Sequence, residues 1–385
     1  MRCLKVFAIA NGILLAGMLS ANAMANDHFH APTTPSAYFQ DPPAPAPVVD
    51  NGGPQTAQQQ VYGDFINCCN TCVSCGLYAG AESTNFWAFN EPEQTVTFTN
   101  LLNNQTFTGT SDPGLGTGIR TWVGLQRCGW GIRATYWHFE NDTVNVEPTS
   151  VVNFTAPEFT QFNEIYHLNM DVLDLEFTQS IDCNCWTVNS SIGARYADIE
   201  REAKVVGVGR LGNTVDLLGL AVGGNEIEGT GLTFSIGASR PLYHRCGWNF
   251  FWSYRGSVLY TDYSASSLTH AQSFQALGAA PTNAFARNVA YAAANNDEAI
   301  YVSEARVGLQ YERQLCCIPA LFFCNVAIEY QHWDTGDAFA QTGSFAQSVG
   351  NGGLGPFGAR VDANSIAHDG DLDLIGFTIG SGFTY

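Results

Sequence analysis

The sequence predicts an all-β protein: an antiparallel, up-and-down transmembrane β-barrel of about 10 strands (10-12) with short periplasmic turns that contain cysteine and long outer loops. Three observations support this: strand-like segments that alternate polar and apolar residues, junctions that alternate long and short, and a composition poor in charge. Only 13% of residues are charged, 12% are aromatic and 39 are glycine. Soluble chains carry about a quarter charged residues. A secreted β-sandwich would share this composition, so the choice between a sandwich and a membrane barrel rests on the strand pattern.

The chain begins with an export signal. Arg2 and Lys5 precede an apolar run over 6–19, and Ala21-Asn22-Ala23 and Ala23-Met24-Ala25 each offer a small-x-small cleavage site. This order is typical of a secretory signal peptide, and the run is too short for the alternative, a membrane-anchoring helix. The segment that follows is rich in Pro, Ala and Gln, which indicates a flexible tether. The predicted signal peptide, tether and outer-membrane β-barrel cover 1-25, 26-63 and 64-385.

Ten strand-like segments follow the tether. In one of them Leu232, Phe234 and Ile236 alternate with small or polar residues, which is the period of a strand with one apolar face. In the fourth segment the apolar residues change phase between Val172 and Leu173, which predicts a β-bulge. The segments are 76–90, 117–127, 130–141, 164–181, 186–199, 229–243, 248–262, 299–314, 321–333 and 371–385.

The junctions between these segments alternate in length. Loops of about 22 to 37 residues alternate with short turns, beginning with the two-residue turn Cys128-Gly129. Outer-membrane barrels have short periplasmic turns and long outer loops, whereas a soluble sandwich lacks this asymmetry. We therefore predict a Gram-negative-type outer-membrane location with both termini periplasmic.

Aromatic residues lie near both ends of the segments, as in the two interfacial belts of membrane barrels. Ordinary β-propensity is the alternative explanation, because it also enriches strands in aromatics. At the outer ends are Trp87, Phe89, Trp137, Phe139, Tyr260, Tyr263 and Trp333. At the turn ends are Trp130, Trp186, Tyr243, Trp248, Tyr311 and Tyr385.

Twelve cysteines less Cys3 leave eleven in the mature chain, all at the turn end of the predicted barrel. An iron–sulfur or zinc site at Cys69, Cys72 and Cys75 is disfavoured, because the ferredoxin pattern needs a fourth cysteine and exported proteins meet oxidising conditions. Intramolecular disulfides and intermolecular cross-links both remain; mostly intramolecular bridges are favoured, and the odd total leaves at least one cysteine over. The candidate disulfide rim is Cys68, Cys69, Cys72, Cys75, Cys128, Cys183, Cys185, Cys246, Cys316, Cys317 and Cys324.

Charged residues occur opposite the apolar faces of the segments. An arginine facing lipid costs about 2–4 kcal/mol at the midplane, so these side chains are predicted to point into the lumen. There they would either line a narrow pore and set its ion preference, or form salt bridges that close it. The candidate lumen charges are Glu82, Arg120, Arg133, Glu176, Arg195, Arg255, Glu304, Arg306 and Glu329.

Several motifs resemble the Legionella-type major outer membrane protein family of pore-forming proteins. They are the cysteine-rich segment before the first strand, Gly76-Leu-Tyr-Ala-Gly-Ala-Glu, Met170-Asp-Val-Leu-Asp-Leu-Glu-Phe, Ser191-Ile-Gly-Ala-Arg-Tyr-Ala-Asp-Ile-Glu and Asp371-Leu-Asp-Leu-Ile-Gly-Phe. The resemblance covers roughly 64–385 and implies a pore-forming outer-membrane barrel. The chain ends in Tyr385 rather than the commoner Phe, with Phe383 alternating behind it.

The function expected from the sequence is a narrow, porin-like pore in a major surface protein. The alternative is a non-conducting envelope protein cross-linked through rim disulfides. We found no hydrolase, metalloprotease or P-loop motif, and we expect no enzyme, cofactor or metal site. Expected partners are outer-membrane lipid, ions or small solutes if the lumen conducts, and another copy or a cell-wall partner through disulfides. The net charge of −19 argues against nucleic acid.

Overall fold

The structure is a computed structural model. No helix in the described part of the chain is long and apolar enough to cross a membrane. The predicted signal peptide, the tether and the cysteines before the first strand lie outside the described residues. The described residues are 76–89, 94–110, 113–146, 159–183, 185–211, 215–242, 247–275, 285–315, 320–334, 340–352, 355–367 and 371–385.

Fourteen strands make up nearly all of the described residues. Every pairing between them is antiparallel. In chain order they are β1 Gly76–Phe89, β2 Gln94–Asn100, β3 Gln105–Thr110, β4 Leu115–Arg127, β5 Trp130–Val146, β6 Phe159–Cys183, β7 Trp186–Leu211, β8 Val215–Pro241, β9 Trp248–Gln275, β10 Phe285–Gln314, β11 Leu321–Trp333, β12 Ala340–Gly352, β13 Gly355–Ala367 and β14 Leu372–Thr384.

Ten strands close into a barrel in the order β1-β14-β11-β10-β9-β8-β7-β6-β5-β4. Each ring strand pairs with the ring strand before and after it, and β1 pairs with β14 to close the circle. All ten predicted segments fall on these ring strands. The predicted antiparallel barrel of about ten strands is therefore confirmed.

The short connections join the ring strands at one end of the barrel, here called the short-turn end. The turn between β4 and β5 consists of Cys128 and Gly129, with φ of 54° and 80°. Two successive positive φ values define the type I′ turn, whose twist matches that of the flanking strands. The opposite end is called the long-loop end.

The long loops contain more strand than the alternation predicts. Strands β6 to β10 run for 25 to 30 residues, well beyond the ~9–11 that cross a bilayer. The connection between β1 and β4 contains β2 and β3, and that between β11 and β14 contains β12 and β13. Much of what the sequence suggested as loop is therefore additional sheet.

Strand β6 is regular where a β-bulge was expected. Its pairing with β7 continues without interruption across Val172 and Leu173, so the prediction of a bulge was wrong. The apolar residues change phase because their surroundings change: Val172 is buried inside the barrel, while Leu173 is exposed on the outer face. The inner face is apolar toward the long-loop end and charged toward the short-turn end. The outer face is charged toward the long-loop end and apolar toward the short-turn end.

The four strands from the loops form a separate sheet in the order β12-β13-β2-β3, here called the outer sheet. One face packs against the extended parts of β6 to β10, and the shared apolar core contains Val96, Phe98, Phe162 and Val361. The Phe98 and Phe162 rings stack with centroids 5.3 Å apart. The extension is therefore a two-layer β-sandwich.

A second apolar core fills the barrel below the outer sheet and is here called the apolar layer. Its side chains come from nine of the ten ring strands and include Phe86, Trp137, Met170, Leu259 and Trp333. On the remaining ring strand, a Cβ at Gly116 would lie only 2.4 Å from the ring of Phe139, so glycine permits the close packing. Four aromatics expected at the outer belt are instead buried inside: Trp137, Phe139, Tyr263 and Trp333.

Candidate functional site: the barrel lumen

Ionised side chains form a layer across the lumen between the apolar layer and the short-turn end, here called the charge layer. Strand register places each of its arginines directly opposite a carboxylate on a neighbouring strand, where opposite charges stabilise a sheet. Within the described strands these cross-strand pairs are Glu82 with Arg120, Arg133 with Glu176, Asp174 with Arg195, Arg255 with Glu304 and Arg306 with Glu329.

One half of the charge layer joins β1, β4, β10 and β11. Arg120 donates to Glu82 at 2.7 Å and to both oxygens of Glu329 at 2.7 and 3.0 Å. Arg306 donates to Glu82 at 2.6 Å and to the Thr378 hydroxyl at 2.9 Å. Two positive and two negative charges therefore balance in this half.

The other half joins β5, β6, β7, β9 and β10. Arg195 bridges Asp174 at 2.6 Å and Glu304 at 2.5 Å, and Arg255 contacts Asp174 at 2.9 Å and Glu176 at 3.2 Å. Arg133 adds a contact to Glu176 at 2.7 Å. Three arginines and three carboxylates again balance.

All nine candidate lumen charges lie in this layer, and the sequence interpretation missed one member, Asp174. The residue lies two positions before Glu176 on the inner face of β6, a spacing that could have identified it. Its carboxylate contacts both Arg195 and Arg255.

The charge layer is continuous with the apolar layer above it. The guanidinium of Arg120 lies 5.2 Å from the ring centre of Trp137, and that of Arg195 lies 5.9 Å from Trp333. Such cation–π contacts stabilise a charged group that packs against the face of an aromatic ring. Paired charges and buried rings therefore fill this part of the lumen together.

A polar chamber of about 640 Å³ lies on the short-turn side of the charge layer. Hydroxyl and amide groups such as Asn189, Ser235 and Gln310 line one part of it, and Tyr78 and Trp122 line another. The lining extends to the strand ends at the turns, which indicates that the chamber opens there. Within the described residues, no group of three or more His, Cys, Asp or Glu side chains is arranged to hold a metal ion.

Four of the candidate rim cysteines fall on described residues. Cys128 is disulfide-bonded, Cys183 ends β6, and Cys185 is an exposed thiol in the next turn. Cys324 is a half-buried thiol within β11 on the face that carries Val326 and Ile328. Seven candidates lie outside the described residues: Cys68, Cys69, Cys72, Cys75, Cys246, Cys316 and Cys317.

The outer surface of the ring strands carries a band of exposed apolar side chains, here called the lipid-facing band. Its width on β11 runs from Phe322 to Tyr330, nine residues, close to the ~9–11 of a tilted membrane strand. A band of this size is untypical of a soluble surface. Members include Ile119, Val123, Ile132, Leu175, Phe177, Ile192, Leu232, Phe234, Val258, Val307, Val326, Ile328, Ile375, Phe377 and Ile379.

A line of acidic residues lies just beyond the band toward the long-loop end. Five acidic residues stand directly opposite one another on β6 to β10 and form one continuous row, here called the carboxylate row. Tyrosines at the edge of the band donate to acidic residues at this level: Tyr136 to Asp171 at 2.5 Å and Tyr196 to Glu228 at 3.1 Å. The row consists of Asp171, Asp198, Glu228, Asp262 and Asp297.

The fold and its filled lumen define a closed antiparallel β-barrel with an apolar outer belt. The chain is similar to the outer membrane protease OmpT of Escherichia coli, with 9% identity over 82% of this chain and 99% of that one and a TM-score of 0.40. It is also similar to the Pseudomonas putida toluene transporter TodX, with 8% identity over 81% and 90% and a TM-score of 0.29. No family profile and no curated protein sequence matches the chain.

These similarities correct one expectation. We expected no enzyme because catalytic motifs were absent, and that expectation was wrong. One of the structurally similar proteins is a protease. At 9% identity the similarity assigns no activity to this chain.

Proposed function

We propose that the protein is an outer-membrane β-barrel whose lumen is closed, and that it acts as a structural envelope protein presenting the outer sheet and its sandwich at the cell surface. The observation that carries this proposal is the filling of the lumen by the charge layer and the apolar layer. Buried side chains from nine ring strands meet in the apolar layer. An ion crossing it would have to lose its hydration against hydrocarbon, which is strongly unfavourable.

The membrane location is supported by the chain's own surface. The lipid-facing band is flanked by aromatics at the short-turn end, where Trp130 and Tyr385 are exposed, and by Tyr136 and Tyr330 at the other end. Amphipathic rings favour both interfaces of a bilayer. The export signal in the sequence supports the outer membrane, with the short-turn end and both termini in the periplasm.

A recording in planar lipid bilayers tests the closed lumen. Purified, refolded protein should insert without producing conductance steps, while heat-modifiable migration and β-rich circular dichroism in detergent establish that it is folded. Uniform conductance steps from protein that passes these two controls would contradict the proposal.

The narrow, porin-like pore is the second candidate. The chamber favours it, because Arg133, Arg255 and Arg306 face an open volume of about 640 Å³. If the lumen conducts, Arg306→Glu should shift the ion selectivity toward cations. Arg210→Glu is the matched control, because Arg210 pairs with Asp216 beyond the lipid-facing band and its replacement should leave selectivity unchanged.

Membership of the Legionella-type major outer membrane protein family and cross-linking through the rim remain hypotheses. The exposed Cys185 thiol at the short-turn end and the odd number of mature cysteines support self-association or attachment to a cell-wall partner. High-mass species on non-reducing gels that collapse with reductant would support it. Monomeric migration without reductant would contradict it.

A further inference from the structure

Aromatic side chains form one wall of the chamber at the short-turn end, here called the aromatic wall. It consists of Tyr78 on β1, Trp122 on β4 and Phe323 on β11. Their strands lie on one side of the barrel, separated only by β14. All three side chains point inward and are half-buried, so the surface that they keep exposed faces the chamber.

Glycines on the neighbouring strands hold these rings against the barrel wall. Strand register places a glycine directly opposite each ring, and the pairs are Tyr78 with Gly124, Trp122 with Gly80 and Phe323 with Gly382. A Cβ at any of these glycines would lie 2.3 to 2.4 Å from the nearest ring atom. The rings occupy that space and therefore extend along the wall rather than across the lumen. The planes of Trp122 and Phe323 differ by only 21°, so together they present one nearly flat surface.

Hydroxyl and amide groups form the opposite side of the chamber, here called the polar wall. It consists of Thr178 on β6, Asn189 and Ser191 on β7, and Ser235 on β8. These strands lie across the barrel from β1. The Ser191 hydroxyl donates to Glu176 at 2.6 Å and lies 2.6 Å from the Ser235 hydroxyl, which fixes both in place. The Asn189 side chain is exposed to the chamber and offers both a donor and an acceptor.

The floor of the chamber is the charge layer, in which positive and negative charges balance. A charged ligand would have to compete with these buried ion pairs, whereas a neutral ligand would leave them intact. An anion would also meet the carboxylate of Glu312, and a cation would meet Arg133 and Arg306, because all three line the chamber. The chamber therefore favours a neutral ligand.

We infer that the chamber binds a neutral mono- or disaccharide. A sugar ring has a face of C–H groups that packs on an aromatic ring, and its hydroxyls both donate and accept hydrogen bonds. The two walls match these two surfaces. A volume of about 640 Å³ suits such a ligand, since small-molecule sites measure roughly 300–1,000 Å³ and occur in the mouths of β-barrels. In the proposed orientation the sugar enters from the periplasm, although its binding does not depend on that orientation.

Saturation-transfer difference NMR on the full-length, folded protein tests the inference. The detergent is dodecyldimethylamine oxide, which carries no sugar headgroup, and the probes are maltose and N,N′-diacetylchitobiose. Saturation should reach the C–H protons of at least one probe. Tighter binding of the chitobiose would identify cell-wall glycan as the source, and tighter binding of maltose a free sugar. No transfer to either probe, at concentrations that would populate a millimolar complex, would overturn the inference.

A substitution in the aromatic wall tests the predicted stacking. Trp122→Leu should weaken binding of the same sugar about tenfold, because leucine still fills the space over Gly80 but offers no ring face. Trp87→Leu is the matched control, since Trp87 lies on the outer surface and is 44% exposed, and it should bind like wild type. Unchanged affinity in Trp122→Leu would overturn the inference.

Two further measurements complete the test. Inorganic phosphate should not compete with the sugar, because the arginines of the charge layer are already paired; competition would show an anion site and overturn the inference. If Trp122→Leu fails to show heat-modifiable migration, Asn189→Ala replaces it. Loss of this amide should weaken sugar binding severalfold, and unchanged affinity would count against the site.

Discussion

At the scale of single residues, the lumen is organised by pairing rather than by simple charge. Four of the five arginines of the charge layer contact a cross-strand carboxylate and a second one across the lumen, as Arg120 does with Glu82 and Glu329. A pair of this kind contributes little net stability compared with apolar packing, but loss of one partner leaves the other buried and uncompensated. The layer is therefore sensitive to single substitutions.

Replacing Glu329 with Gln should lower the free energy of unfolding by about 3–5 kcal/mol. The change removes the charge that receives two hydrogen bonds from Arg120 while preserving size and polarity. Urea unfolding in lipid vesicles measures it. Asp216→Asn is the control, because its ion pair with Arg210 is 40% and 27% exposed and should contribute below about 1 kcal/mol. Equal losses in both variants would contradict the buried pairing.

At the scale of elements, the sequence predicts the ring strands well and the strands in the loops poorly. Alternation identifies the ring strands because lipid outside and charge inside impose a strict two-residue period. The strands of the outer sheet could not be predicted in this way, because they are short and pair with strands far away in the sequence. Gln94 and Ser365, for example, contact each other although 271 positions separate them in the chain. Nothing local in a sequence specifies such a pairing.

The same limit applies to the lumen. Nine charges could be assigned to it from their position opposite apolar faces, whereas the burial of Trp137 and Trp333 could not. A tryptophan at a strand end is equally consistent with an interfacial belt and with an inner face, and only the register of the closed barrel separates these. The buried Arg201 of β7 was not identified because that strand continues beyond the segment predicted to end at residue 199.

Replacing Phe162 with Ala should detach the outer sheet without unfolding the ring. Phe162 is 2% exposed and stacks on Phe98 between the two layers, and the cavity should cost about 3–5 kcal/mol. Limited proteolysis should then cleave the outer sheet while heat-modifiable migration of the barrel persists. Phe345→Ala, on the exposed face of the same sheet, should change neither. Proteolysis equal to wild type in Phe162→Ala would exclude this packing role.

At the scale of the whole molecule, chemistry changes in steps along the barrel axis. From the short-turn end inward come the chamber, the charge layer, the apolar layer and the sandwich core, while the outer surface changes from the lipid-facing band to the carboxylate row. The inner apolar layer begins near the level where the outer surface becomes acidic, since Leu259 faces inward beside the exposed Tyr260. Each face is therefore apolar where the other is charged.

The carboxylate row marks the level at which the barrel leaves the lipid, and it has a measurable cost. Like charges directly opposite each other destabilise a sheet, and Glu228 opposes both Asp198 and Asp262. Burial first, and then the nearby carboxylate of Glu228, raise the pKa of Asp198. An acid with a raised pKa binds its proton more tightly when folded, so the free energy of unfolding falls as pH rises from its ordinary pKa through the raised one.

Replacing Glu228 with Gln should therefore raise the free energy of unfolding at neutral pH and low salt by about 0.2–1 kcal/mol for each opposed pair, and reduce its decline with rising pH. Thermal unfolding across pH 4 to about 7 measures both effects. Glu202→Gln is the control, because Glu202 opposes His167 and Gly224 rather than carboxylates. About 1 M salt should remove the difference between wild type and Glu228→Gln, since it screens charges beyond ~3 Å. A wild-type stability that depends on neither pH nor salt would contradict the predicted repulsion within the row.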